Sequence, residues 1–330
     1  MKHSLKIMIL LLAMFLVTQL IGLYVVNYYS PVKVVNNVQQ NVTSPNQLPF
    51  GLEPPPVPPQ TNFWTTYFPS ILFAFVIAII FFLILTHFKA EFILKGWFFI
   101  VVIIALSVSF ISFFPSSSLI FVLISLAVAV PLAFFKIYRQ NFVIHNLTEL
   151  FIYPGIAAVF VSLLSSPDSL NQGVYAIIAL LVLISLYDMW AVWHAKIMQK
   201  MAKYQINKLK IFSGFFVPYI SKSMRNKMAR MRKENKGKKT GKKSMKVNIA
   251  LLGGGDVIFP IIAAGVILRR FGFTNILGLE VPLASLIVIL GAAAGLGYLF
   301  IFGQKKKFYP AMPFISIGIF IALGICYLLL

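Results

Sequence analysis

Acid is what this chain has least of: eight Asp and Glu among 330 residues, against 29 Lys and Arg. Charged residues total 11%, where a water-soluble domain carries about 25%, and hydrophobic residues reach 59%. That shortage excludes an ordinary soluble globule. A single cysteine, Cys326, excludes an intrachain disulfide. The four histidines (His3, His87, His145, His194) fall at the ends of apolar runs or in loops. No His-Glu-x-x-His stretch exists for a catalytic zinc. No Gly-x-Ser site pairs with a histidine inside another apolar run, no phosphate-binding loop is present and no internal repeat is visible. Nothing in the chain calls for a cofactor or a metal.

Apolar runs of roughly 20 residues are what it has in plenty, each long enough to cross a bilayer core about 30 Å thick. Nine can be placed, near 6–27, 69–88, 96–114, 118–136, 150–166, 173–195, 247–268, 280–302 and 310–330. The first has too long an apolar stretch and too poor a cleavage site for a removable signal peptide, so it is read as a retained span. The fifth is short, holds Pro154-Gly155 and is expected to be kinked or partly re-entrant. The third and fourth, joined by Pro115-Ser116-Ser117, are two spans or one re-entrant pair. The expected fold class is an all-α polytopic membrane protein of nine transmembrane helices, integral to the membrane.

The net charge of +21 does not point to nucleic acid, because of where it sits. Seventeen of the 29 basic residues lie between Lys196 and Lys246, and most others flank apolar runs. With the N-terminus in the cytoplasm, 26 basic residues fall on inner connections and three (Lys33, Arg269, Arg270) on outer ones. The positive-inside rule therefore expects a cytoplasmic N-terminus and a C-terminus outside, with inner lysines against anionic lipid headgroups. The chain divides into a six-span half (1–196), a basic cytoplasmic loop (197–246) and a three-span half (247–330). Residues 28–68 form an outer loop whose Pro54-Pro55-Pro56 and Pro58-Pro59 favour extended polyproline conformation, and whose Asn41-Val42-Thr43 is a glycosylation sequon. In the inner loop, Arg225–Lys246 has the composition of a disordered segment. Ile211-Phe212 and Phe215–Ile220 form an apolar patch that is either a membrane-surface segment or a plug near a site.

Of the eight acids, Glu53, Asp168 and Glu234 fall in loops and Glu91, Glu149 and Glu280 near span ends; Asp188 and Asp256 alone lie well inside apolar runs. An ionisable group at membrane depth is costly and marks a functional site. Asp188 precedes the inner end of span six by eight residues, and Asp256 follows the inner start of span seven by ten. At about 1.5 Å per residue the two carboxylates lie roughly 12 and 15 Å from the cytoplasmic boundary. Neighbouring helices about 8–10 Å apart let such side chains meet. Two adjacent carboxyls cannot easily both ionise, so they share a proton. One then takes a proton from water and the other protonates a carbonyl oxygen, which is the acid/base chemistry of peptide hydrolysis without a covalent intermediate. Gly253, Gly254 and Gly255, immediately before Asp256, either admit a substrate backbone or pack helices closely.

Three motifs carry a family resemblance. Tyr187-Asp188 in span six is similar to the YD motif of the presenilin and signal peptide peptidase family. Gly253-Gly254-Gly255-Asp256 in span seven resembles its GxGD motif, and Pro310-Ala311-Met312-Pro313, opening span nine, resembles its PAL signature with Met312 in the leucine's place. The resemblance implies an aspartyl protease that hydrolyses peptide bonds inside other proteins' transmembrane segments. It implies Asp188 and Asp256 as the catalytic pair, with Pro310, Ala311 and Met312 shaping the site. Leucine-to-methionine nearly conserves volume. The cytoplasmic loop between spans six and seven and the second proline, Pro313, resemble the presenilin branch, and the compact chain resembles microbial homologues that work without a complex. Transmembrane proteins or peptides would be the substrates, with lipid and a possible second copy of the chain as other partners.

Other readings stay open on the residues themselves. Pro310 and Pro313, lacking amide donors, suit a helix start; they also leave irregular backbone that could meet an extended substrate strand. Tyr187 either approaches an acid or packs as an aromatic. Trp190, Trp193 and His194 match an interfacial aromatic belt, and Gly291 and Gly295 form a small-residue packing face. Two facing acids would also serve a proton- or cation-coupled transporter or a leak channel.

Overall fold

The computed structural model describes residues 5–35, 38–42, 45–52, 63–88, 91–139, 141–165, 170–193, 213–219, 248–276, 278–303 and 309–329. The expected disorder of Arg225–Lys246, the proline run at 54–59, Ile211-Phe212 and the last residue of the sequon lie outside them. Nine long helices appear among the described residues: α1 (Leu5–Tyr28), α2 (Phe68–His87), α3 (Glu91–Ile111), α4 (Leu119–Phe134), α5 (Phe142–Leu164), α6 (Leu170–Trp193), α7 (Gly254–Phe271), α8 (Leu283–Phe302) and α9 (Met312–Leu329). Eight of them are long and apolar enough to cross a membrane. The exception is α7, which carries Asp256, Arg269 and Arg270 in 18 residues.

The packing explains why α7 tolerates those charges. It touches α1, α5, α6, α8 and α9, and most of its residues are buried. A helix sheathed by other helices meets protein rather than lipid, so polar side chains can find partners there. Arg269, 3% exposed, lies over the C-terminal ends of α1 and α5. It donates to the carbonyls of Tyr29 (3.4 Å), Val161 (3.4 Å) and Ser165 (2.9 Å) and to Ser162 Oγ (2.9 Å). The last carbonyls of a helix have no intrahelical donor and carry its negative dipole end; one guanidinium serves two such ends. α2 is at the other extreme, with its described side chains largely exposed, as expected of a helix that faces lipid.

Three expectations need correction. The fold is not all-α: three antiparallel two-stranded sheets occur, β1 (Val32–Val35) with β2 (Val38–Asn41), β3 (Gly214–Tyr219) with β4 (Asn248–Gly253), and β5 (Thr274–Ile276) with β6 (Leu279–Val281). Span seven is not helical from residue 247; 248–253 is the strand β4, because β3 supplies it a hydrogen-bonding partner along its whole length. Span five is neither short nor re-entrant. It is one helix of 23 residues with Pro154 inside, starting at an Asn141 cap whose side chain accepts from the Val143 amide. Of the two readings of spans three and four, the structure has two separate helices, as the count of nine takes them, joined by a bend that includes Pro115-Ser116-Ser117. The Gly291 and Gly295 face is tight packing, as expected: a Cβ on either would run into the backbone of α9 at Gly318 or Phe314.

Candidate active site

Asp188 belongs to the buried stripe of α6, with Leu181, Ser185 and Ala191 at helical spacing, and is 7% exposed. That stripe faces α7 and α9. Tyr187, one residue back and so about 100° around the helix, is 48% exposed and packs on Trp190 at 6.3 Å between ring centroids. The structure brings Asp188 into the bundle and leaves Tyr187 on its outer surface.

α9 begins directly opposite. The Met312 amide donates to Asp188 Oδ2 at 3.2 Å, and the Ala311 amide lies beside the same carboxylate. Pro310 and Met312 are buried; Ala311 and Pro313 are half-buried. First-turn amides of a helix are unsatisfied within it, and its positive dipole end attracts an anion. The two prolines offer no amide of their own, so the motif presents Ala311 and Met312 as its donors. One turn on, Ser316 of α9 accepts from Ser185 of α6 at 2.9 Å, which ties the two helices beside the acid.

Asp256 lies on α7, but not deep inside a long helix. Gly253 is the N-cap, in extended conformation, and Asp256 is the third residue of the helix. Its carboxylate takes a hydrogen bond from the Gly253 amide, which is half of a capping box. Both acids thus occupy helix N-termini, Asp256 that of its own helix and Asp188 that of α9. Asp188 stands within electrostatic reach of Asp256. Gly255 is exposed and Gly253 and Asp256 are half-buried, so the motif opens to the outside of the bundle. Pro260 lacks the amide that would ordinarily bond the Asp256 carbonyl, and Gln19 of α1 donates to the Val257 carbonyl at 3.0 Å. The backbone around Asp256 is therefore held by groups outside its own helical ladder.

Gly254 is the tightest of the three glycines. A Cβ there would lie 2.6 Å from Ser213 Oγ and 3.0 Å from Cε1 and Oη of Tyr153. Tyr153, on α5, is fully buried against Phe215 of β3 (5.7 Å, edge to face). Its hydroxyl has no hydrogen-bond partner among the described residues.

Sequence reasoning missed the polar groups that support this region. Glu149 is 1% exposed, not near water, and Lys136 Nζ meets it at 2.7 Å. His145 is buried with them. Starting span five at residue 150 placed Glu149 outside it; the signal was the Asn141 cap, which extends the helix by two turns. Gln19 was a lone amide within an apolar run, and only its tertiary partner distinguishes it.

The sequence matches the family model described as signal-peptide peptidase, presenilin aspartyl protease over residues 57–329. Two solved structures are similar, both described as a presenilin family intramembrane aspartate protease, in C222 and P2 space groups. The first is 17% identical with TM-score 0.53, covering 96% of this chain and 94% of that one. The second is 17% identical with TM-score 0.54, covering 99% and 98%. At that identity they establish a shared fold. No curated protein matches the sequence.

Proposed function

This chain belongs to the signal-peptide peptidase and presenilin aspartyl protease family and is an integral, multi-pass membrane protein; on that premise we propose that Asp188 and Asp256 are its catalytic pair, hydrolysing peptide bonds within transmembrane segments of other proteins. The observation that carries the proposal is the meeting of the three motif regions: Asp188 buried on the α6 stripe, bonded by the Met312 amide, and within electrostatic reach of Asp256.

One shared proton sets the chemistry. The ionised carboxyl takes a proton from a water molecule lying between the two acids, and that water attacks the scissile carbonyl carbon. The protonated carboxyl gives its proton to the carbonyl oxygen as charge develops there. Collapse of the tetrahedral intermediate returns a proton to the leaving amine, and the dyad is restored. The Met312 amide engages Oδ2 of Asp188 and leaves Oδ1 free of that bond to face water and substrate. Gly253 orients Asp256 in the same manner. Asp188 is buried where α6, α7 and α9 pack, and burial strengthens such interactions.

A transmembrane substrate must expose its backbone to be cut. The outward edge of β4 supports a reading in which an unwound substrate strand pairs there and leads into Asp256. All nine helices cross the membrane in this proposal, α7 among them, with the N-terminus cytoplasmic and the C-terminus outside, as the distribution of basic residues favours.

The test is purified protein in lipid with a labelled transmembrane peptide. Cleavage is expected, and Asp188→Ala and Asp256→Ala are each expected to abolish it. Retained cleavage in either variant refutes the assignment, and ion flux lost in both variants without any proteolysis replaces it with transport.

A further inference from the structure

The edge of β3 that faces away from β4 is already occupied. The Gly214 amide points at Glu149 Oε1 (3.4 Å) and its carbonyl meets His145 Nε2 (2.8 Å). At Phe216 the match is two-sided: Asn146 Nδ2 donates to the Phe216 carbonyl (2.7 Å) and Asn146 Oδ1 accepts from the Phe216 amide (2.9 Å). An amide side chain that both donates and accepts copies what a neighbouring strand residue does. The next outward position is Pro218, which has no amide to offer. Of three successive outward positions, two are thus taken by α5 side chains and the third offers no donor.

These contacts also fix which way each strand faces. Since Gly214 and Phe216 turn their backbone groups to α5, their partners Gly253 and Leu251 turn theirs away from β3. The Ser213 carbonyl, one position before Gly214, takes the Gly254 amide (3.3 Å), as that alternation requires. Ile249 and Leu251 therefore present amides and carbonyls on the outer edge of β4, where no hydrogen bond from another described residue reaches them. From Leu251 the chain runs through Gly253 to Asp256.

The clip is costly to build, which argues against incidental packing. Glu149 and Lys136 are 1% and 5% exposed, and a buried pair gains stability only when further hydrogen bonds satisfy it. Here Glu149 Oε1 takes the Lys136 ammonium (2.7 Å) and faces the Gly214 amide. His145 Nδ1 lies 3.2 Å from the same ammonium while its ring packs on Phe216 at 4.5 Å. Lys136 thereby holds Glu149 and His145 in the orientation that grips the strand.

We propose that Asn146, His145 and Glu149, held by Lys136, are positioning residues that pin β3 in one register and so determine where along a bound substrate Asp256 cuts. A two-residue slip of β3 against β4 keeps every side chain on its own face, so facing alone does not forbid it; the clip opposes it, together with the packing of Phe215 on Tyr153. By closing the β3 edge the same residues leave β4 as the edge a substrate strand can use, so one register of the enzyme's sheet gives one principal cut. This rests on the protease reading, and its test is read partly without activity.

In a Cys326→Ser background, Phe216→Cys is paired with Leu251→Cys, its partner, or with Ile249→Cys, offset by two. Directly opposed non-bonded positions lie about 4.5 Å apart at Cα and suit a disulfide, so the aligned pair should close roughly tenfold faster than the offset pair. Asn146→Ala should erase that preference. In the uncrosslinked enzyme the same substitution should spread one dominant cleavage product into several, read by mass spectrometry, and raise KM more than it lowers kcat. Asn146→Asp keeps the side-chain volume and the bond from the Phe216 amide but opposes the carbonyl; it should give an intermediate ladder, and it carries the test if Asn146→Ala does not fold. Cross-linking that stays selective in both Asn146 variants overturns the clip. Loss of selectivity with an unchanged product ladder overturns its role in cut position. Selective cross-linking of the paired-cysteine protein, beside a wild-type enzyme that cleaves nothing, refutes the protease reading instead.

Discussion

Replacing Gly254 tests how closely the turn before Asp256 is fitted. The two contacts a Cβ would meet differ in kind. Ser213 Oγ, 2.6 Å away, is the end of an exposed side chain and can rotate aside. The Tyr153 ring, 3.0 Å away at Cε1 and Oη, is fully buried and braced by Phe215, so it can move only a few tenths of an ångström. Gly254→Ala should therefore cost little, with crowding offset in part by alanine's better helix propensity, about 1 kcal/mol at most in a helix interior. Gly254→Leu pushes a branched side chain into the ring, and overpacking of that kind costs about 1–3 kcal/mol. Strain that escapes along the backbone reaches Asp256 two residues on, where a misplacement of about 1 Å is worth up to about 100-fold in rate. Expected, then, are near-normal turnover for Gly254→Ala and a 10- to 100-fold loss for Gly254→Leu in protein that remains folded. Adding Tyr153→Ala should restore part of it. Peptide cleavage and thermal unfolding, measured on the same lipid-reconstituted samples, separate rate from stability. Gly254→Leu with wild-type stability and turnover would refute the fit described here.

Further outcomes can be read on the same preparations. Arg269→Met removes donors from four acceptors at the ends of α1 and α5; at about 0.6–1 kcal/mol each in a membrane setting it should destabilise the fold by about 2–4 kcal/mol and leave the cut site unchanged. Unfolding in denaturing detergent measures this, and an unaltered midpoint contradicts it. Ser185→Ala removes one interhelical bond beside Asp188 and should cost about 1 kcal/mol or less, with KM and kcat close to wild type. Gly295→Leu drives α8 from α9 at Phe314 and should reduce cleavage strongly by withdrawing the Met312 amide from Asp188; a fully active variant would break that link. The dyad needs one protonated and one ionised carboxyl. Acid removes the base, alkali removes the acid, and kcat/KM should fall on both sides of an optimum; a profile that only rises or only falls argues against the shared proton.

The membrane character and the candidate acids were legible in the sequence because both rest on local rules. Hydrocarbon demands about 20 apolar residues per crossing, and an acid inside such a run is costly enough to stand out, so Asp188 and Asp256 announced themselves. The ends of the elements were not legible. Residues 248–253 are as apolar as a helix would be, and only the distant strand 214–219 makes them β. That pairing puts Asp256 in the first turn of α7 instead of deep within it. Glu149, Lys136 and His145 looked like residues at span ends because nothing adjacent in sequence reveals that α4 and α5 fold them onto a strand some 65 residues away. Tyr187, next to a catalytic candidate, faces outward because successive residues on a helix point about 100° apart. Composition and spacing determined that this chain enters the membrane and which acids stand out as candidates for its chemistry. Tertiary structure alone decided what holds each carboxylate, since those contacts are made by backbone amides and buried side chains whose partners lie far along the chain.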